Sequence, residues 1–311
     1  MDHPRIAVVI PCLNEELTIR KVIRDFREAL PEADIWVFDN SSTDATAQVA
    51  TDEGARVRHV RLRGKGSVVR TIFRDVDADI LLMVDGDDTY PAGSASVLLN
   101  EVASGRADMA VGARLEQHAT ASFRPFHGVG NRLVRWTISR LFGHVIQDPL
   151  SGYRAISMRF ARSMPVLSMG FEIETEMTVF GLMNGLTVSE LQIQYGERPA
   201  GSESKLHTFR DGFRVLRTIL FLFKDLRPLL FFGLLSAGAT IAGLTLGGLV
   251  LAEFLNTGAV THPSSAVLAA AMILAAMMSI ATGLILDTGN RRSNEILRLL
   301  TDQVVDRRTR T

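Results

Sequence analysis

"ILLMVDGDDTYP", residues 80–91, runs through five apolar residues and then places three aspartates among the next four positions. The apolar run reads as a buried strand. Carboxylates at its end would lose hydration on leaving water unless something positive met them there. The stretch therefore predicts a strand whose carboxyl end faces a cation.

Outward from that point, short β-rich runs alternate with segments of helix length. "IAVVI" precedes a predicted helix from Glu15 to Leu30, "IWVF" one from Asp44 to Glu53, "ILLMV" one from Gly93 to Ser104, and "DMAVG" follows. Strands that are continuously apolar, joined by helices, argue for an α/β fold with a parallel sheet covered on both faces. Ligands of such sheets bind beyond the carboxyl ends of the strands. The polar residues cluster there: Asn14 and Glu15, Asp39 and Asn40, Asp85 and Asp87. From Gly112 to Arg198 the pattern is less regular, with a basic "RPFHGVGNRLVRW", a turn-rich "QDPLSGYR" and a predicted helix from Glu172 to Asn184.

The 311 residues carry a formal net charge of zero, but the balance is uneven, because no Lys or Arg lies between Arg227 and Arg291. Residues 228–255 and 265–286 are apolar all round, and each is long enough to cross about 30 Å of hydrocarbon at about 1.5 Å per residue. A hairpin buried within a soluble protein is the competing reading. Gly243, Gly247 and Gly248 suit close helix contact in lipid, and such packing is compatible with a homo-oligomer. Ahead of the first span, Leu206, Phe209, Phe213, Leu216, Leu220 and Phe223 recur at helical spacing, with Arg210, Arg214 and Arg217 on the other side. This predicts an amphipathic helix over 205–227, packed on the N-terminal α/β domain or lying at a membrane surface. The connection "NTGAVTHPSS" lacks Lys and Arg while both flanks carry them, so the loop is expected outside and both termini in the cytoplasm. The opening residues do not form a secretory signal, since Pro11 and Asn14 interrupt the apolar run. The single cysteine, Cys12, has no partner for an internal disulfide.

Oxygen-only ligands at a strand end suit a hard divalent cation such as Mg²⁺ or Mn²⁺, which also engages phosphate oxygens. An EF-hand loop is excluded, because the twelfth position from Asp85 is Ser96 rather than Glu. Asp39 reads either as an acceptor for a base or ribose or, with Ser42 or Thr43, as a helix cap. In "RGKGS", residues 63–67, Lys65 sits between glycines that let a backbone approach an anion. The spacing is not that of a Walker loop, and a surface turn is the alternative.

The motifs "VVIPCLNEE", "VFDNSSTDAT", "RGKGSVVRTIF", "VDGDDTYPA", "VGARLE", "QDPLSGYRAIS" and "RPAGSESKL" follow one another through the first two thirds of the chain. In that order they resemble the family 2 glycosyltransferases of the GT-A fold, and among them the polyprenyl-phosphate (dolichol-phosphate) glycosyltransferases. The resemblance implies a GT-A domain over 1–204, the juxtamembrane helix 205–227, a transmembrane hairpin over 228–287 and a cytoplasmic tail over 288–311. It implies that Pro11, Glu15, Asp39, Lys65, Asp85 and Gly86 hold the nucleotide and that Asp85 and Asp87 flank the metal. Arg114, Arg124, Arg198 and Lys205 would handle phosphates of donor or acceptor, and Asp148 occupies the acidic position near the sugar, in a positioning or weak base role. The expected reaction moves one sugar, from a UDP-hexose, a UDP-N-acetylhexosamine or GDP-mannose, to undecaprenyl or dolichyl phosphate. Thr89 stands where mannosyl members often carry Gln, which counts against mannose. No nucleic-acid partner is expected. Two alternatives are a non-catalytic nucleotide-binding scaffold and a processive polysaccharide synthase, whose Q-x-x-R-W appears only as "RLVRW", with Arg132 for Gln and ahead of Asp148.

Overall fold

The computed structural model describes residues 4–114, 135–136, 138–140, 143, 146–196, 199, 217, 219–221, 223–225 and 227–308, with backbone alone from 293 onward. The chain divides into two compact units, Met1–Ile219 and Leu220–Thr311.

The first unit is built on seven strands: β1 (Ile6–Cys12), β2 (Asp34–Asp39), β3 (Arg56–His59), β4 (Ile80–Met83), β5 (Met109–Arg114), β6 (Arg154–Ser157) and β7 (Val188–Ile193). Helices α1 (Ile19–Ala29), α2 (Thr46–Asp52), α3 (Lys65–Asp75) and α4 (Ala95–Ala103) fall between the early strands, and α5 (Met158–Ser163) and α6 (Ile173–Met183) between β6 and β7. The sheet order is β3-β2-β1-β4-β6-β5-β7. All pairings are parallel except those of β6, which runs antiparallel to both β4 and β5.

The continuously apolar strands have a direct cause. Successive side chains of a strand point to opposite faces, and here both faces are cores. Val8 and Ile10 of β1 join α1 and α4 in one cluster, while Ala7 and Val9 join α3 and α5 in the other. Burying each such Val or Ile contributes about 1.5–3 kcal/mol relative to exposure. The GT-A-type sheet expected from the sequence is thus present, with two strands, β3 and β7, and one antiparallel strand that the apolar pattern did not announce. β3 reads "RVRH" and β7 "VSELQI", both too polar to register as buried runs.

Several element boundaries differ from expectation for local reasons. α1 starts at Ile19 rather than Glu15, because Glu15 to Thr18 form a turn in which the amides of Thr18 and Ile19 donate to the Glu15 carbonyl. Neither Asp39, Ser42 nor Thr43 caps α2. Asp44 does the local work, accepting from the Thr46 amide at 3.0 Å and its hydroxyl at 2.5 Å. "RGKGS" is the start of α3 rather than a surface turn, with Gly64 at φ 119° just ahead of it.

The second unit contains α7 (Pro228–Thr257) and α8 (Pro263–Arg308). α7 ends at Gly258, whose φ of 70° places it in the left-handed region favoured at helix C-termini. α8 continues far beyond the expected end of the second span, through the segment read as a tail. Both helices are long and apolar enough to cross a membrane, and only 6% and 17% of their most apolar windows are buried. A hairpin hidden in a soluble core would not leave these faces exposed. The two helices meet through small residues and reciprocal hydroxyl contacts: Ser236 donates to the Ala276 carbonyl at 2.8 Å and Ser279 to that of Phe232 at 2.9 Å. Most of the helix expected over 205–227 lies outside the described residues.

Candidate active site

The parallel strands β1, β2 and β4 deliver their carboxyl ends to one edge of the sheet, and each is followed by a non-glycine residue in the left-handed region: Asn14 (φ 54°), Ser41 (φ 62°) and Asp88 (φ 59°). Such conformations cost energy and concentrate at functional turns. Polar contacts stitch the three turns together. Asn14 accepts from the Thr43 amide at 2.7 Å, the Glu15 amide donates to the Thr46 hydroxyl at 2.8 Å, and the Thr18 hydroxyl donates to the Gly86 carbonyl at 2.6 Å. Asn40 grips the next loop, donating to the carbonyls of Val60 and Leu62 and accepting from the Gly64 amide at 2.7 Å.

Within this frame Pro11 and Cys12 lie beside Phe38 and Asp39 in register. Asp39 is buried; one carboxylate oxygen accepts from the Ser42 amide at 3.2 Å and the other lies 3.1 Å from His59 Nδ1. At the end of β4, Asp87 is buried and accepts from the Thr89 hydroxyl at 2.6 Å. Asp85 is partly exposed and pairs with the ammonium of Lys65. Lys65 is the first residue of α3, and glycines on either side of it permit a close approach: a Cβ on Gly64 would fall 2.0 Å from the Met169 carbonyl oxygen, and one on Gly66 2.0 Å from that of Ser168. Asp88 pairs with Lys21 Nζ at 2.8 Å, on the α1 side of the turn.

A second carboxylate meets the lysine. Glu174, in the first turn of α6, places Oε1 2.7 Å from Lys65 Nζ, and both side chains are buried. Burial works to lower the Lys65 pKa, but Asp85 and Glu174 more than reverse it, and the ammonium is held well above its ordinary range. Burial raises Glu174, with Lys65 the main opposing influence.

Asp148 and Arg114 form the other wall. The guanidinium Nε and Nη2 of Arg114 reach the two oxygens of Asp148 at 2.6 and 2.8 Å, a two-pronged pair, and Arg114 also lies over the Tyr195 ring. Burial works against the Arg114 charge, and Tyr90 and Asp148 outweigh it, so its pKa is raised. The loop carrying Asp148 is held from behind. Glu190 of β7 accepts from the amides of Gln147 and Asp148 at 2.7 and 2.9 Å, and Arg154, fully buried, donates to the carbonyls of Ser151 and Pro149 at 2.9 and 3.0 Å. Tyr90, Tyr153 and Tyr195, the only three tyrosines of the chain, cluster behind this loop, and the Tyr90 hydroxyl accepts from the Gly152 amide at 3.0 Å.

The structure therefore brings Pro11, Glu15, Asp39, Lys65, Asp85, Gly86, Asp87, Arg114 and Asp148 to one end of one sheet. Arg124, Arg198 and Lys205 lie outside the described residues. Glu174, Glu190, Arg154 and Tyr90 were not legible from motif spacing. The signal for Glu174 was its place in "FEIETEM", where three glutamates alternate with Ile173 and Thr175 at a helix start.

Among the described residues no group of three or more His, Cys, Asp or Glu side chains forms a metal cage. Two carboxylates at the end of β4, Asp85 partly exposed and Asp87 buried, are nonetheless the donor set that suits Mg²⁺ or Mn²⁺, ions commonly held by one or two carboxylates and completed by substrate phosphates and water.

The sequence model described as "Glycosyl transferase family 2" matches residues 7–160. Glycosyltransferase AglJ of Haloferax volcanii is 33% identical over 283 residues, covering 91% of this chain and 92% of that protein. A dolichyl-phosphate hexose transferase of the same organism is 27% identical over 215 residues, covering 69% of this chain and 92% of that one. Among solved structures, glucosyl-3-phosphoglycerate synthase from Mycobacterium tuberculosis in complex with phosphoglyceric acid superposes with a TM-score of 0.58 at 25% identity, over 70% of this chain and 79% of that one. Together with the sheet and the acidic turn at its edge, these likenesses show that the chain belongs to glycosyl transferase family 2.

Proposed function

We propose that this glycosyltransferase moves one sugar from a nucleoside-diphosphate sugar to the phosphate of a polyprenyl lipid, inverting the anomeric centre. The observation that carries the acceptor is the pair α7 and α8, whose apolar faces are exposed along most of their length. A transferase attached to such helices would work at the headgroup level, where a lipid phosphate lies. The likeness to a dolichyl-phosphate hexose transferase supports the same class of acceptor.

The donor end follows from charge. Asp39, with Pro11 and Glu15 beside it, offers acceptors to the nucleoside. Asp85 and Asp87 suit a divalent ion, Mg²⁺ or Mn²⁺, which when bound neutralises charge on the departing diphosphate. Lys65 adds a lasting ammonium charge at the same place, in a buried setting where electrostatic stabilisation counts for more than in water.

The acceptor phosphate is already an anion at neutral pH, so the reaction has no need of a strong base. Both oxygens of Asp148 are engaged by Arg114, which supports a positioning role: Asp148 orients the guanidinium toward the region where the sugar and phosphate meet. The domain limits follow the same reading, with a catalytic domain over 1–204, a juxtamembrane segment, two spans and both termini in the cytoplasm.

The test is a panel of radiolabelled UDP-glucose, UDP-galactose, UDP-N-acetylglucosamine and GDP-mannose with undecaprenyl or dolichyl phosphate and the full-length protein in detergent. Label from one donor passing into the organic phase, dependent on added lipid phosphate, is expected. Transfer to a soluble acceptor, with none to lipid, would overturn the acceptor assignment.

A further inference from the structure

Glu174 takes no part in the chemistry above, yet it is 3% exposed and its carboxylate faces Lys65 Nζ at 2.7 Å. Lys65 is therefore held by two carboxylates from two different elements, Asp85 on the turn after β4 and Glu174 on the first turn of α6. Asp85 is also one of the two carboxylates suited to the divalent ion, so the ammonium and the ion need the same group. A buried ammonium with Asp85 as its only partner could not release it without being stranded as an unpaired charge, which is strongly unfavourable. Glu174 removes that obstacle. Burial raises the Glu174 pKa, and what favours its ionised form against that is the Lys65 ammonium beside it together with its place at a helix N-terminus.

We infer that Glu174 is the standing counter-ion of a lysine that changes partners: Lys65 closes Asp85 when no cation is present, yields it to an incoming divalent ion, and stays paired with Glu174 throughout. This rests on the metal-dependent reading of the site. Glu174 is then a positioning residue, acting through Lys65, that lets one buried cation serve both as a plug for the empty site and as a ready partner for the diphosphate. On this account metal affinity in the absence of nucleotide is set by competition with Lys65.

The test counts free Mn²⁺ by its EPR signal in titrations of the full-length protein without nucleotide, on Lys65→Met, Glu174→Gln and the double variant. Lys65→Met should bind Mn²⁺ at least about tenfold more tightly than wild type, because the competitor is gone, and Glu174→Gln at least about tenfold more weakly, because the lysine then clings to Asp85. The double variant should lie within about twofold of Lys65→Met, since Glu174 acts only through the lysine. Unchanged affinity in Lys65→Met overturns the inference. So does a loss from Glu174→Gln that is equally large in the Lys65→Met background, which would make Glu174 an ordinary through-space charge. Should Lys65→Met fail to fold, the double variant, in which both charges are removed together, carries the same test: it must bind more tightly than wild type. Wild-type protein that binds no Mn²⁺ refutes the metal reading and this inference with it, whereas wild-type binding with unmoved variants refutes this inference alone.

Discussion

Arg114 holds both carboxylate oxygens of Asp148, at 2.6 and 2.8 Å, while the Arg114 amide approaches one of them at 3.2 Å. A carboxylate engaged on both oxygens is poorly placed to take a proton and well placed to fix a cation. Asp148→Asn should therefore lower the transfer rate by only about 10–100-fold, whereas loss of an essential general base is worth up to about 10⁴. Single-turnover rates at saturating donor separate the two. A fall near the upper figure would return Asp148 to the role of base.

Gly152 has no room for a side chain: a Cβ there would lie 2.4 Å from Asp85 Oδ2. The atom that must give way is the carboxylate itself, so Gly152→Ala should leave the fold standing and displace Asp85. Misplacing a catalytic group by about 1 Å can cost about 100-fold in rate, and a loss of that order is expected in sugar transfer. Gly93→Ala, with nothing within 4 Å of the new methyl, is the control and should be active. Equal behaviour of the two variants in the assay would remove the steric argument.

Arg154 is fully buried, and it donates to the carbonyls of Pro149 and Ser151 and to the Thr178 hydroxyl at 2.9 Å. A lysine cannot reproduce that fork. Arg154→Lys should destabilise the catalytic unit by about 3 kcal/mol, the scale of one or two buried hydrogen bonds to a charged donor. Denaturant titration followed by tryptophan fluorescence measures it. A shift below about 0.5 kcal/mol, typical of neutral surface changes, would mean the loop does not depend on Arg154.

The membrane topology makes its own prediction. The loop after α7 carries neither Lys nor Arg, so a cysteine placed at Thr257, the last residue of α7 before that loop, should react with an impermeant reagent from the outside of intact cells. Reaction only after the cytoplasmic side is opened would reverse the hairpin.

Much of this architecture was legible in the sequence, for reasons the structure makes plain. β1 and β4 could be read because both of their faces enter cores, which turns them into uninterrupted apolar runs, and the acidic turn after β4 stood out against that background. α7 and α8 were readable because apolar residues surround them. β3 and β7 were not, since at the sheet edges β3 is mostly exposed and β7 mostly half-buried, and both carry charges such as Arg56 and Glu190. The supporting groups were hidden for a different reason. Glu174, Arg154 and Glu190 lie 109, 89 and 125 positions from Lys65 respectively, and only the folding of the sheet brings them behind the site; no spacing rule connects them.

The measurement that bears most directly on the central claim is the initial rate of sugar transfer to lipid phosphate by wild type, Asp87→Asn and Asp88→Asn, each with Mn²⁺ and with excess chelator. If Asp85 and Asp87 hold the diphosphate through a divalent ion, Asp87→Asn should fall at least about 100-fold, the size of losing one electrostatic contributor to a transition state. Chelation should abolish wild-type transfer. Asp88→Asn, which breaks only the pair with Lys21, should keep most of its activity. Asp87→Asn transferring sugar at the wild-type rate in the presence of chelator would contradict the account.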